Sequence, residues 1–197
     1  MWANPIGSHT GAQSGDNLFI NLAGGIALYP RMWIDQTGSL TWQFRVNGAT
    51  KAISSAQSIT PNVWHHIVLQ YDPTNGSGVT WIDNTVRNRT NVGLGSLTMS
   101  MSGPMMFGRD NNQNQCYSGL MDDIRVYNRF LSGGEIGSLF SKINVNGSLI
   151  FYLKLDEGSS VAGSFVYSSA SGGNSVIQPF LGDRRNSLVL AQSGGYY

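Results

Sequence analysis

Leu40, Trp42, Phe44 and Val46 alternate with Thr41, Gln43 and Arg45, and the run ends at Asn47-Gly48. A period of two puts the apolar set on one face of a β-strand and the polar set on the other. Asn-Gly tolerates the positive φ that both central positions of a type I′ turn require, so a hairpin into a return strand over Ala49 to Ile53 is predicted. A strand with one greasy face must be covered, which commits the chain to at least a second layer.

The same kind of run recurs at Val63 to Tyr71, Val79 to Ile82, Leu97 to Met101 and Met105 to Gly108, then at Leu120 to Tyr127, Leu149 to Leu155 and Asn186 to Gln192. Asp83-Asn84 turns the second of these into Thr85 and Val86. Gly, Ser and Asn make up a third of the chain, which excludes a mostly helical protein because these residues favour turns over helix. One helix is predicted, at Gly133 to Phe140. Ser132 and Glu135 have the spacing of a capping box, and Ile136, Leu139 and Phe140 form an apolar stripe behind it. The expected class is all-β: an antiparallel jelly-roll β-sandwich with one short helix. Its core should take in Trp64 or its strand partners, Ile124, Val126, Phe151, Leu153 and Leu155, and the strand tryptophans Trp42, Trp64 and Trp81 are read as packing residues.

Twelve basic against eleven acidic groups leave a net charge of +1. A field that weak holds neither nucleic acid nor anionic lipid, so nucleic-acid partners are excluded. The most apolar window, Leu18 to Ile34, is interrupted by Asn21, Gly24, Gly25, Pro30 and Arg31, so no membrane insertion is expected. The single cysteine, Cys116, rules out an intrachain disulfide and reads as a small packing residue. The opening residues MWANPIGSHTG lack the basic and then apolar pattern of a signal peptide.

Four segments together resemble a known family. Pro61 to Leu69 (PNVWHHIVL), Val79 to Asn84 (VTWIDN), Phe107 to Asp110 (FGRD) and Tyr117 to Ile136 with its YSGLMDDIRVYNRFLS core are similar, in order, to motifs of laminin G-like, concanavalin A-like jelly-roll domains. A second match is out of order. Ser148 to Ser159 (SLIFYLKLDEGS) resembles the opening strand of such a domain, and Asn186 to Tyr197 (NSLVLAQSGGYY) resembles the segment next to it in the family pattern. The resemblance therefore divides the chain into residues 1–142, the main part of the sandwich with the later strands of the pattern; a linker at 143–148; and residues 149–197, the opening strands. The last part is expected to complete the same sandwich or that of a neighbouring chain. A circular permutant, a strand-exchanged subunit and an excerpt of a tandem array all fit that order. Tyr167 to Gly173 departs from the family, lacking the aspartate its pattern carries there.

The resemblance admits glycoside hydrolysis, but that chemistry wants paired carboxylates flanking the bond. The only glutamates are Glu135, assigned to the helix cap, and Glu157, in a turn. Asp122 and Asp123 are followed by no further acid on the same strand face and are read as structural, paired with Arg125 or with backbone amides. His65 and His66 are adjacent on a strand, point to opposite faces and cannot share a metal. The chain is therefore expected not to be an enzyme. The loop Asp110, Asn111, Asn112, Gln113, Asn114 and the following Tyr117 is the candidate ligand site, its amides suited to sugar hydroxyls or to a calcium ion. Tyr29, Trp33, Tyr196 and Tyr197 are further aromatic candidates. The expected function is a recognition or adhesion module for a glycan or a protein surface. The alternative is a structural part of a virion or microbial surface, self-assembling through the C-terminal strands. Either would work outside the cell, on a cell or virion surface, with any export signal lying outside these residues.

Overall fold

The computed structural model describes residues 1–6, 16–23, 26–35, 37–98, 105–108, 117–155, 175–178 and 188–192. The strands of its first half are β1 (Trp2–Pro5), β2 (Asp16–Ala23), β3 (Ile26–Ile34), β4 (Ser39–Val46), β5 (Ala49–Ser58), β6 (His65–Asp72), β7 (Ser77–Ile82) and β8 (Thr85–Asn91). Those of the second half are β9 (Leu97–Thr98), β10 (Met105–Phe107), β11 (Gly119–Asp122), β12 (Ile124–Tyr127), β13 (Leu149–Leu153), β14 (Ser175–Gln178) and β15 (Leu188–Gln192), with the helix α1 at Gly133–Phe140. Every pairing among them is antiparallel. One sheet runs β11-β1-β6-β7-β8 and the other β14-β15-β10-β2-β3-β4-β5 with β9 beside β4, while β12 and β13 form a separate ladder. The all-β sandwich with one helix is thus the architecture observed among the described residues.

The predicted hairpin is present: Asn47 and Gly48 stand at φ 48° and 77° between β4 and β5. Leu40, Trp42, Phe44 and Val46 all face the main core, where Leu40 and Phe44 are fully buried. Each such side chain contributes about 1.5–3 kcal/mol through burial. Trp42 stacks on Phe44 with centroids 4.0 Å apart and donates Nε1–H to Thr80 Oγ1 of β7 at 3.1 Å, joining the two sheets across the core. A second cluster gathers Phe107, Ile124, Phe151 and Leu153, with Val126 and Leu155 packed at its margin. All five residues expected there from β12 onward are therefore in or against the core.

Helix α1 spans the predicted residues, and its capping box is formed in both directions. Hydrogen bonds from Arg129 and Ser132 push the Glu135 carboxyl down to about 2. Ile136 and Leu139 pack with Leu131 against Val68 and Trp81. The helix therefore lies on the outer face of the five-stranded sheet, which is why β6 is covered on both sides. Ile67 faces the main core, while Val68 faces the helix and Gln70 Oε1 accepts the Leu131 amide at 3.0 Å.

Three expectations need correction. Trp64 is 41% exposed, because Asn62 turns the backbone at φ 62° and the strand begins only at His65. Trp81 is half-buried, under the helix rather than between the sheets. The run from Leu120 to Tyr127 is not one strand. Asp123 stands at φ 49° and splits it, leaving β11 beside β1 and β12 beside β13. Aspartate tolerates that left-handed conformation, and here its amide is held by Asp122 Oδ1 at 2.8 Å.

Candidate functional site

Directly paired residues of an antiparallel ladder share a face. The register pairs Arg31 with Gln43 and Trp33 with Thr41 across β3 and β4, then Thr41 with Ser54, Gln43 with Ala52 and Arg45 with Thr50 across β4 and β5. Since Met32, Ile34, Trp42 and Phe44 face inward, these residues form the outer face of the larger sheet. Their side chains are linked to one another. Arg31 Nε donates to Gln43 Oε1 at 2.8 Å, and its guanidinium carbon lies 4.7 Å from the centre of the Trp33 ring. The Thr41 and Ser54 hydroxyls are 2.8 Å apart. At the far margin, Asn88 Nδ2 of β8 donates to the Ser54 carbonyl at 2.6 Å. Arg45, Thr50, Ala52 and Ser54 are exposed, and Arg31, Trp33 and Gln43 are half-buried.

This arrangement can bind a ligand that is apolar on one side and rich in hydroxyls on the other. The guanidinium over one face of the indole fixes its tilt, and the rest of the ring supplies apolar surface. Accepting from Arg31 orients the Gln43 amide, so its Nε2 is the donor left over. Next along β3, the Asp35 carboxylate is taken up locally: its Oδ1 accepts from Thr37 N, Thr37 Oγ1 and Ser39 N at 2.6–3.0 Å.

Of the candidates read from the sequence, Asp110, Asn111, Asn112, Gln113 and Asn114 lie outside the described residues, as do Cys116, Glu157, Tyr196 and Tyr197. Tyr117 is buried in the main core and donates its hydroxyl to the Leu120 carbonyl at 3.2 Å. Its ring is occupied by packing. Among the aromatic candidates whose side chains are described, Trp33 reaches the outer face; the side chain of Tyr29 lies outside them. Thr41, Gln43 and Arg45 are visible in the sequence as the polar half of the clearest strand, yet only the register with β3 brings them beside Trp33.

Asp122 and Asp123 belong to a different constellation. Asp123 Oδ1 accepts from Tyr152 Oη at 2.6 Å and from Arg125 at 3.3 Å, while Lys142 Nζ lies 3.4 Å from a carboxylate oxygen of each aspartate. Arg125 also donates to Asn144 Oδ1 at 2.9 Å and stacks on the Tyr152 ring at 4.3 Å. Burial alone would raise the Asp123 carboxyl; the Tyr152 hydrogen bond and the charges of Arg125 and Lys142 outweigh it and hold the group below the usual carboxylate range. Burial and the same aspartate raise the Tyr152 phenol. Asp123 is thus a structural partner of Arg125, while Asp122 is engaged by Lys142 and by the Asp123 backbone amide.

His65 and His66 are both buried. His65 Nδ1 pairs with Asp83 Oδ2 at 2.7 Å, and His66 packs with Trp2 and Phe140. Burial drives the His66 imidazole down to about 3. Among the described residues no three His, Cys, Asp or Glu side chains come together as a metal site, and no helix is long and apolar enough to cross a membrane.

Solved structures share this fold, and two of them illustrate it. A Bacteroides ovatus protein provisionally described as carbohydrate-binding superposes with a TM-score of 0.59 at 17% identity, over 85% of this chain and 47% of its own. The chain thus spans about half the length of that protein. The heptameric SAP-like pentraxin of Limulus polyphemus gives a TM-score of 0.53 at 18% identity, over 86% of this chain and 80% of its own. No curated protein matches the sequence. A family model does match, over residues 1–137, and by that match the chain belongs to the concanavalin A-like lectin/glucanases superfamily.

Proposed function

We propose that this chain is a non-catalytic glycan-binding module that works outside the cell and takes a sugar on the outer face of β3, β4 and β5. The observation that carries this reading is the constellation of Trp33, Arg31 and Gln43. A half-buried indole is held at a fixed angle, with amide, guanidinium and hydroxyl groups in the same plane of the sheet. Sugars present an apolar C–H face and a rim of hydroxyls, which is the complement of such a surface. The Bacteroides ovatus neighbour supports the ligand class. The commitment of Asp122, Asp123 and Glu135 to Lys142, Arg125, Tyr152, Arg129 and Ser132 supports the absence of catalysis.

Residues 149–197 are proposed to complete this sandwich within their own chain, making the protein a circular permutant of its family. β12 carries the family's closing motif and β13 its opening one, and the two pair from Ile124↔Leu153 to Tyr127↔Leu149. A glycan array with the intact chain and with Trp33→Ala tests the binding reading. Binding that disappears in the variant while its circular dichroism spectrum is unchanged supports it. Absence of binding to any glycan, or equal binding by the variant, overturns it.

A further inference from the structure

The chain contains three Asn-Gly pairs, Asn47-Gly48, Asn75-Gly76 and Asn146-Gly147. In such a pair the glycine amide nitrogen can attack the asparagine side-chain carbonyl carbon. Ammonia leaves, a five-membered succinimide forms, and water then opens it to aspartate or to isoaspartate, whose backbone runs through the side-chain carbon. No oxidant or cofactor is needed. Glycine is the favourable neighbour because no Cβ hinders the approach, so intrinsic reactivity is comparable at all three. What differs is how the folded protein holds each amide.

Asn47 is held twice: its Nδ2 donates to the Leu94 carbonyl at 3.2 Å and its Oδ1 accepts the Ser96 amide at 3.0 Å. Asn75 is held twice as well, by Asp72 Oδ2 at 2.9 Å and by the Ser77 amide at 2.9 Å, and the attacking nitrogen of Gly76 is itself donated to the Asp72 carbonyl at 2.9 Å. Asn146 and Gly147 are both exposed, in the short turn that leads into β13. The backbone carbonyls of this pair are engaged, Asn146 O by the Leu149 amide at 3.4 Å and Gly147 O by Arg129 Nε at 3.3 Å. Among the described residues, no hydrogen bond holds the Asn146 side-chain amide or the Gly147 nitrogen. From this contrast we infer that Asn146 is a site of spontaneous deamidation and isoaspartate formation, and that the other two pairs are protected by the fold.

The position gives the modification a consequence. Isoaspartate would lengthen the backbone of the turn by one carbon, just before the Ser148 carbonyl that accepts the Asn128 amide and before the β12–β13 ladder begins. The new carboxylate would also arise close to Arg129, competing with Glu135, the capping-box residue that Arg129 holds at 2.6 Å. Modified chains should therefore hold β13 and the start of α1 less firmly.

Incubation of the intact protein in mildly alkaline buffer, followed by peptide mapping for the mass gain and for isoaspartate, tests this. Two tethering hydrogen bonds should slow Asn47 and Asn75 by about tenfold relative to Asn146. In urea, where the tethers are gone, the three rates should converge. Gly147→Ala should suppress modification at 146 and leave the other two sites unchanged. Equal or faster modification at Asn47 or Asn75 in the folded protein, or an Asn146 that stays intact while the unfolded chain reacts there, overturns the inference.

Discussion

Among the described residues an arginine stacks on an aromatic ring at two places, and the surroundings give the two stacks different jobs. Arg125 lies over Tyr152 and is answered by Asp123 and Asn144, so its partners come from the β11–β12 break, the segment after α1, and β13. Arg125 and Tyr152 face each other in the β12–β13 ladder, but Asp123 and Asn144 lie outside it, and the arginine is what ties them to it. Arg31 lies over Trp33 and bonds Gln43 on β3 and β4, two strands that the register already joins over four residue pairs. The first cluster is a joint of the fold. The second decorates a surface that is already built.

The harshest way to break this comparison is to end the chain after Lys142. The truncated protein loses β13 and with it Phe151 and Leu153 from the second core cluster. It is expected to lose its cooperative thermal transition, read by circular dichroism, and a truncated chain that stays monomeric and folded would mean that the joint holds nothing together. Arg125→Met is the milder cut. It leaves Asp123, whose side chain is only 15% exposed, without its main countercharge, and should cost about 3 kcal/mol in urea unfolding. A loss within that of an ordinary surface substitution would place the arginine outside the joint.

Acid should reach the same side of the molecule. His66 packs with Trp2 and Phe140, and its imidazole stays neutral down to about 3 against the ordinary 6.5. An unfolded chain binds that proton below 6.5 and the folded one does not, so stability falls by up to about 1.4 kcal/mol for each pH unit between 6.5 and 3. Asp123, held below its usual range, adds to the loss at the acid end of that window. His66→Phe should flatten the dependence above the carboxylate range; an unchanged pH profile of the urea midpoint would discard the histidine as its source. The smallest effect belongs to the outer face. Gln43→Ala removes one hydrogen bond from an otherwise intact sheet and should cost only about 0.5–1 kcal/mol, while weakening glycan binding on the array. A larger stability loss than that of Arg125→Met would invert the assignment of the two stacks.

Local chemistry makes part of this legible from residues alone. The Asn47-Gly48 hairpin, the inward row from Leu40 to Val46 and the capping box of Ser132 and Glu135 each depend on residues close in sequence, and each stands where the sequence puts it. Trp64 escapes such a reading because alternation does not reveal where a strand begins; the turn at Asn62 decides that. The break at Asp123 is hidden for the opposite reason, since the apolar period runs on through a residue whose backbone leaves one sheet for another. The outer-face site is half legible. Trp33 stands out as an aromatic outside the clear strands, but β2 and β3 lie in a window whose plainest feature is its overall apolarity. Without the register of β3 on β4, nothing sets Trp33 and Arg31 beside Thr41 and Gln43.

β1 sits between β11 and β6, with Trp2 opposite Asp122 on one side and His66 on the other. Its four residues are synthesised long before either neighbour, and β11 emerges only after most of the chain. During translation the hairpins β4–β5, β6–β7 and β7–β8 can close as soon as they are made, while β1 must wait as an unpaired strand. Pairings so distant in sequence are slow to form because a large loop has to close first. The five-stranded sheet is therefore completed late, by a strand made early, and until then the place that β1 fills beside β6 stays open to any other extended segment in the cell.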